Sequence, residues 1–344
     1  MPHVGLLYGG QSAEHEVSIL SAVNVAAALA GRHRVTPIYI DRDGRWRVTE
    51  GVDGGEGAPV SFHPYAGADT LATADGGLGL DVVFPVLHGQ NGEDGTIQGL
   101  LDALGLPFVG PYVLASAACM DKAVAKSLLE AAGLATTPYL VTRAHHDRLA
   151  FASVRERLGA PVFVKPANSG SSVGISRVET EAEWGAALDE AFCYDKTVVV
   201  ETGIVGREIE VAVLGNEYPE ASVPGEIVIT STFYDYDSKY TDPDASRMEV
   251  PADLDADTTA RLRQMAVDAY VALGCEGLSR VDFFVTADGE ILVNEINTIP
   301  GFTARSMYPV MWAATGRTNE QLADDLVQLA LDRHARDARR KLTR

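Results

Sequence analysis

The sequence predicts a chain of mixed α/β and α+β class, with a parallel α/β unit first and α+β units after it. Three observations carry this. Apolar runs alternate with helical patterns from Val4 to Leu104, the rhythm of a parallel sheet. Beyond Pro111 two strands flank a Gly/Ser loop before the next helix, which suits an α+β unit. The 344 residues exceed one ordinary core and suit two or three domains, and 46% hydrophobic with 22% charged residues is a folded globular balance.

The elements follow in order. Val4–Tyr8 is a buried strand ended by Gly9-Gly10, and a helical pattern runs from about Glu14 to Leu29. Val35–Ile40 and Val82–Leu87 are further strands, the latter ended by His88-Gly89 and followed by a helix over Thr96–Leu104. Between them, Asp41 to Leu80 is rich in Gly and Asp and predicts a peripheral hairpin and loop insertion. A second unit begins near Pro111: a helix over Asp121–Ala132 stopped by Gly133, a strand at Pro161–Lys165, a Gly/Ser loop over Ala167–Gly174, and a strand at Ile175–Val178. A helix over Glu181–Ala191 and a strand at Thr197–Glu201 complete it. From about Gly206 come strands at Ile209–Leu214, Ser279–Val285 and Ile291–Ile296, with helices over Ala256–Leu273 and Asn319–Arg333. Thr230–Ala245 is polar, aromatic-rich and aperiodic; a long loop of this kind in a compact domain is usually functional.

A formal charge of −20 repels nucleic acid and anionic lipid, so neither is an expected partner. It also repels polyphosphates at long range, so any phosphate site must be a local cluster of Lys, Arg and backbone N–H groups. Cys119, Cys193 and Cys275 lie far apart without a C-x-x-C pair, which fits a reducing compartment and supports neither disulfides nor a Cys-based zinc site. The N-terminus lacks a basic region and a long apolar run, and no stretch is long enough to span a bilayer. These features predict a cytoplasmic protein.

The strongest chemical signal is Arg280-Val-Asp282 with Asn294-Glu295-Ile-Asn297. Side chains two apart on a strand share a face, so Glu295 and Asn297 point the same way, with Val293 one step back on that face. If the strand of Asp282 lies alongside, three oxygen ligands converge, the hard donor set that Mg²⁺ takes. A solvated polar strand end is the plainer alternative, but both flanking strands look buried, and an unpaired buried carboxylate is costly. The second signal is Lys165-Pro-Ala-Asn-Ser-Gly170-Ser171-Ser172-Val-Gly174, whose backbone N–H groups and hydroxyls could fold over polyphosphate. An ordinary flexible hairpin loop has the same composition. No Gly-Lys dipeptide and no G-x-G-x-x-G occurs.

Gly170-Ser-Ser172-Val-Gly174 also matches G-x-S-x-G, which raises a serine hydrolase with Ser172 as nucleophile. That elbow needs a helix after the turn and a later histidine; Ile175–Val178 alternates like a strand, and the only later histidine is His334. Glu14 lies where the first strand meets its helix and could hold a substrate ammonium there; equally, Glu14 and Glu16 could simply favour the helix N-terminus. His88 occupies the equivalent end of the third strand, with a loop histidine of no role as the alternative. His15-Glu16 is not a zinc motif. Lys122 begins a helix and could be a solvated surface lysine. Lys239 and Tyr240, among Phe233, Tyr234 and Tyr236, could belong to a lid that excludes water, or to a satellite packing cluster.

Together these segments resemble one family. Gly-Gly-Gln-Ser-Ala-Glu14-His-Glu-Val-Ser, Leu-His88-Gly-Gln-Asn-Gly-Glu-Asp-Gly, Met-Asp-Lys122, the Lys165 loop, Phe233-Tyr-Asp-Tyr-Asp-Ser-Lys239-Tyr240, Arg280-Val-Asp282 and Asn294-Glu-Ile-Asn297-Thr-Ile-Pro-Gly301-Phe-Thr look like the D-alanine–D-alanine ligases of the ATP-grasp superfamily. Each motif alone is weak; the set, in order over nearly the whole chain, is specific. The resemblance implies a three-domain architecture over residues 1–112, 113–205 and 206–344, with a lid at 230–245 and ATP sandwiched between the central and C-terminal domains. It implies two Mg²⁺ ions on Asp282, Glu295 and Asn297, with Glu295 bridging and Mn²⁺ an admissible substitute. One D-alanine carboxylate attacks the γ-phosphate, and the amine of a second displaces phosphate from the acyl phosphate. Such transfer needs mostly positioning and charge neutralisation.

Lys122, Lys165 and Lys239 match nucleotide-phosphate lysines, and Glu201, Ile204 and Glu208 match the adenosine site, with Ser171, Ser172, Phe284 and Asn294 also on the nucleotide side. Arg280 and the Gly301 N–H match oxyanion stabilisers. Glu14 matches the holder of the first ammonium, joined through Ser171 to Tyr240 on the lid; Ser306 matches a contact to the second carboxylate, and His88, Tyr240, Arg280, Asn297 and Gly301 line the substrates. Thr202-Gly203 after Glu201 departs from the lysine often found there, which puts the detailed base contacts in question. Another ATP-grasp carboxylate–amine ligase, or a D-alanyl-D-serine or D-alanyl-D-lactate ligase, remains the alternative, and the family is typically dimeric.

Overall fold

The apolar run near the N-terminus forms β1 (His3–Gly9), buried along its whole length. The protein is described here by a computed structural model that covers residues 1–64, 66–229 and 246–340. The loop expected over Thr230–Ala245, with Lys239 and Tyr240, lies outside the described residues.

β1 pairs in parallel with β2 (Arg34–Ile40) on one side. The chain then runs through β3 (Trp46–Val48) and β4 (Ala58–Pro59), which extend the sheet antiparallel beyond β2. A small separate sheet of β5 (Ser61–Phe62), β6 (Leu71–Thr73) and β7 (Gly76–Gly77) makes up the rest of the expected insertion. The chain returns as β8 (Val82–Val86), parallel to β1 on its other side. The order of the sheet therefore reverses at β1 and β8, and ligands of open α/β sheets bind at that crevice beyond the strands' carboxyl ends. Gly9 ends β1 with φ +92°, and a Cβ there would lie 2.2 Å from the Ile40 oxygen, so only glycine fits. Helices α1 (His15–Leu29) and α2 (Thr96–Ala103) follow the two strands that flank the crevice.

Two helices come next, α3 (Val113–Met120) and α4 (Lys122–Ala131). Asp121 caps α4 by accepting from the backbone N–H of Ala123 and Val124. The central sheet contains β9 (Tyr139–Arg143), β10 (Val162–Pro166), β11 (Ser176–Val178) and β12 (Thr197–Thr202), antiparallel in the order β11-β10-β12-β9. It is covered by α5 (Phe151–Leu158) and by α6 (Glu181–Tyr194), which begins with a Thr180–Glu183 capping box.

The last sheet is antiparallel too. It contains β13 (Gly206–Gly215), β14 (Glu220–Ala221), β15 (Gly225–Ile229), β16 (Ser246–Glu249), β17 (Gly277–Thr286) and β18 (Ile291–Asn297). Its order is β16-β15-β13-β17-β18, with β14 beside β13. Helices α7 (Ala256–Ala272), α8 (Met307–Ala314) and α9 (Asn319–Asp337) accompany it.

Several elements were not expected from the sequence: α3, β9, α5, β14 to β16 and α8. Most are short, and α8 carries Pro309. Proline is tolerated there because the first-turn N–H groups of a helix have no intrahelical partner.

The cores explain how the units are held. One core joins Val4, Tyr8 and Phe84 of the first unit to Phe302, Trp312 and Leu326 of the last. Ala118 of α3 and Leu129 of α4 pack with Phe283 and Val293 on the last sheet. Phe151, Val164, Trp184 and Val198 form a core belonging to the central sheet alone. Among the described residues no helix is long and apolar enough to cross a membrane.

Candidate active site

The acidic motifs meet on the last two strands. On β17 the residues at 280, 282, 284 and 286 are half-buried, while 279, 281, 283 and 285 are buried, the alternation of a strand with one packed face. On β18 a regular antiparallel partner would continue from Phe283↔Val293 to Asp282↔Asn294. Instead the register runs from Phe283↔Val293 to Asp282↔Glu295, leaving Asn294 as the extra residue of a bulge. This corrects the expectation that Val293 shares the face of Glu295. Val293 faces the helical core with Phe283, and the bulge turns Glu295 and Asn297 to the face of Asp282 and Arg280.

On that face Arg280 donates from Nε to Asp282 Oδ1 and from Nη2 to Oδ2, both at 2.7 Å. Its Nε also lies 3.0 Å from Glu210 Oε2, on the paired strand β13. Burial opposes its charge, but Asp282 and Glu210 hold the guanidinium firmly protonated. Asn297 Nδ2 donates to Asp282 Oδ2 at 2.9 Å, and Glu295 Oε2 lies 3.4 Å from Lys122 Nζ. Two carboxylates and an amide thus share one face. Among the described residues no three His, Cys, Asp or Glu side chains are placed to hold a metal ion by themselves, so a cation here would depend on the Asn297 amide oxygen, turned inward, as its third donor. Hard oxygen donors of this kind fit Mg²⁺, with positions left for phosphate and water. Phe284 lies next along the same face, cross-strand from Glu208.

Lys122 is not a surface lysine. It opens α4 on the core of the last sheet, yet its Nζ donates at 2.7 Å to the Ser169 oxygen of the Gly/Ser loop. It therefore spans the cleft between the central and last sheets, which Glu93, Gly170, Glu295 and Asn297 also line.

The loop joins β10 to β11 as a hairpin. A strand follows where a nucleophile elbow needs a helix, and this removes the hydrolase reading of Ser172. Ser171 and Ser172 both have left-handed backbones, φ 48° and 61°, a costly pair for non-glycine residues that needs holding by contacts. One such contact is visible: Ser171 Oγ donates to Glu14 Oε1 across the cleft.

Glu14 stands at the start of α1, where it makes no side-chain capping bond. A Cβ at Gly89 (φ +72°) would lie 2.8 Å from Glu14 Oε2, so glycine after His88 leaves room for that carboxylate. His88 is buried with both ring nitrogens engaged: Nδ1 with the Ile299 oxygen at 3.0 Å, Nε2 with Ser21 Oγ at 3.1 Å. Glu93 Oε1 lies 3.5 Å from Nδ1; burial lowers the imidazole's proton affinity, and Glu93, with Glu14 and the Ile299 oxygen, more than offsets it. Burial in turn pushes the Glu93 carboxyl above its ordinary range. His88 thus anchors the β8 crevice to the Pro-Gly301 turn and presents no unoccupied nitrogen. His15 is likewise structural, bonded to the Gly10 oxygen and Tyr39. A cavity of about 200 Å³, lined by Ser12, Trp46, His88, Asn91 and Leu100 among others, opens beside this crevice. Ser306 Oγ accepts from Thr303 N at 3.0 Å and would be met at 3.0 Å by a Cβ on Gly301, so the two expected substrate contacts are neighbours.

On the central sheet Lys165 Nζ donates to Glu201 Oε2 at 2.7 Å, and Lys126 Nζ lies 3.1 Å from Glu201 Oε1. Both Glu201 oxygens already hold a lysine, and the backbone groups from Glu201 to Ile204 are what this strand end offers a base. The departing pair has local reasons: Thr202 Oγ1 donates to the Leu158 oxygen at 3.1 Å, and a Cβ at Gly203 would lie 2.8 Å from the Pro161 oxygen. Lys126 was missed from the sequence. Its signal was a lysine on the helix face of Ala125 and Leu129, where an apolar residue is expected.

Two antiparallel sheets facing each other across a lysine-bearing cleft, beside a parallel sheet that supplies Glu14, define an ATP-grasp architecture. A family model described as D-ala D-ala ligase N-terminus matches residues 3–111, and one described as D-ala D-ala ligase C-terminus matches residues 128–328. The chain is 48% identical to D-alanine–D-alanine ligase A of Escherichia coli K12, over 99% of this chain and 98% of that protein. It is 46% identical to D-alanine–D-alanine ligase of Shouchella clausii, over 98% and 97%. The solved D-alanine-D-alanine ligase of Coxiella burnetii superposes with a TM-score of 0.90 at 38% identity, covering 98% and 96%. The VanG D-Ala:D-Ser ligase of Enterococcus faecalis superposes at 0.88, also with 38% identity, covering 96% and 99%. The chain belongs to the D-ala D-ala ligase family.

Proposed function

We propose that this protein joins two D-alanines to D-alanyl-D-alanine for peptidoglycan precursor synthesis, with ATP converted to ADP and phosphate. The observation that carries the reading is the bulge-set face of Asp282, Glu295 and Asn297, opposite Lys122 and the Gly/Ser loop, a loop that bonds in turn to Glu14 through Ser171. Residues 1–112 serve the first substrate, and the central residues 113–205 and the C-terminal residues 206–344 enclose ATP.

Glu14, held by Ser171, takes the ammonium of the first D-alanine and orients its carboxylate toward the γ-phosphate. Lys122 and Lys165 neutralise nucleotide phosphates, and Lys239 joins them; Glu201 to Ile204 with Glu208, Phe284 and Asn294 hold adenosine. Asp282, Glu295 and Asn297 would hold Mg²⁺, two ions with Glu295 shared, which supplies charge neutralisation on the transferring phosphoryl group. The second D-alanine lies with its carboxylate near Ser306, and its amine attacks the acyl phosphate. Arg280 and the Gly301 N–H stabilise the oxyanion that develops, and phosphate leaves. His88 acts on substrate through the crevice it anchors, and Tyr240, outside the described residues, serves the substrates together with Ser171. The protein would do this in the cytoplasm, as a homodimer.

Phosphate release with ATP and Mg²⁺ against a panel of D-alanine, L-alanine, D-serine and D-lactate tests it. ADP and phosphate that depend on D-alanine are expected. AMP and pyrophosphate, or no dependence on a D-amino acid, would overturn the reading. A mixed dipeptide or depsipeptide as main product would move it to the D-serine or D-lactate ligases, a point the VanG likeness makes worth including.

A further inference from the structure

α4 carries two lysines one turn apart, and they face different surroundings. Lys122 opens onto the cleft; Lys126 is 1% exposed. A buried ammonium is tolerated only where a counter-charge and hydrogen bonds replace water. Glu201, itself 2% exposed, supplies them, with Oε1 at 3.1 Å from Lys126. The Thr137 oxygen lies at 3.5 Å, and the Tyr139 ring 5.6 Å away offers its face. The other Glu201 oxygen takes Lys165 at 2.7 Å. One buried carboxylate is thus shared by ammoniums from a helix and from the opposing strand. Burial pulls Lys126 below the ordinary lysine range, while for Lys165 the pull of Glu201, with Glu295 and Glu208 adding to it, outweighs burial.

This sharing has a consequence for Lys165. Lys165 has three N–H donors and gives one to Glu201, so a nucleotide phosphate on another would compete with Glu201 for the position and charge of the same ammonium. With Lys165 as sole partner, that competition would leave a buried carboxylate without its full counter-charge. With Lys126 in place, Glu201 keeps a counter-ion throughout. We infer that Lys126 is a positioning residue, which retains the Glu201 carboxylate so that Lys165 can exchange it for a nucleotide phosphate. The inference rests on the ATP reading above.

The test compares Lys126→Met, Lys126→Arg, Glu201→Gln and the double variant Lys126→Met/Glu201→Gln in the full chain, by ATP binding calorimetry, steady-state kinetics and thermal melting. In Lys126→Met, Glu201 holds Lys165 as its only partner and competes with phosphate. The KM and Kd for ATP should rise roughly tenfold or more, with kcat at saturating ATP within about threefold of wild type. Lys126→Arg should restore most of the loss. The double variant should recover ATP affinity, since no carboxylate remains to hold Lys165. A merely structural ion pair would lower the melting temperature of Lys126→Met without this ATP-specific change, and the double variant would show no recovery; either result overturns the inference. If Lys126→Met does not fold, the contrast is read in the Glu201→Gln background. There, removing Lys126 should change ATP affinity less than about threefold, and a tenfold loss would overturn the inference. Failure of the wild-type protein itself to bind ATP would instead count against the nucleotide reading.

Discussion

Asp282 stands directly across from Glu295 only because Asn294 is left over between two registers of the same strand pair. Strand side chains alternate with a period of two, so a shift of one residue exchanges the two faces. Without the bulge Glu295 would pair with Val281 and point into the core of Phe283 and Val293. With it, the carboxylate faces the cleft 3.4 Å from Lys122.

Glu295→Gln preserves shape and removes the charge shared between Lys122 and the proposed cation. Loss of one such charge contact in a water-poor site is worth a few kcal/mol, so turnover at ordinary Mg²⁺ should fall by about a hundredfold or more. Steady-state phosphate release checks this. Near-normal turnover would remove Glu295 from the site.

The two left-handed serines should behave differently. Ser171→Ala removes the bond to Glu14, and a hydrogen bond to a charged group is worth ~1.5–3 kcal/mol, so kcat/KM for D-alanine should fall by about one to two decades. Ser172→Ala should remain a measurable ligase with weakened ATP binding. Intact-mass spectra after a serine-directed phosphonate should show no adduct on Ser172.

Phe302 packs edge-on to Phe84 of the parallel sheet, with centroids 6.3 Å apart, and lies 5.7 Å from Tyr308. Asn24 also donates to its backbone oxygen at 2.8 Å. Phe302→Ala empties the core shared by the first and last units and should cost about 3–5 kcal/mol in urea unfolding. A loss below about 1 kcal/mol would mean that the two units are not held through this core.

Lys165 and Lys126 outweigh burial to hold the Glu201 carboxyl below its ordinary value of 4.5. A depressed folded pKa contributes stability that is present above 4.5 and lost as pH falls through the folded value. The melting temperature of wild type should therefore drop in that acid window, and Glu201→Gln should show a flatter acid limb. Parallel acid limbs in the two proteins would show that the pair does not titrate as described.

Much of this was legible in the chain. β1, β2, β8, β10, β12, β13, β17 and β18 are apolar runs of strand length, and α1, α6, α7 and α9 carry helical periodicity, so each was found within a few residues. The elements not found lack such a pattern: β9 is half-buried along most of its length, and α8 is an apolar run broken by Pro309. The acid and amide residues, the Gly/Ser loop and Glu14 stood out by residue type. Lys126 did not, because a lysine in a helix is ordinarily solvated.

The sequence by itself determined the class of the fold, the family and the residue types of the site, since periodicity and local motifs are properties of neighbouring residues. The tertiary structure alone decided which face Glu295 occupies, that Ser171 meets Glu14 across 157 positions, and that one buried Glu201 is shared by Lys126 and Lys165. It also decided that the first and last units share a core while the central sheet keeps its own. Register, burial and ion pairing depend on groups far apart in the chain, and their energies exist only once folding has brought those groups together and removed the water between them.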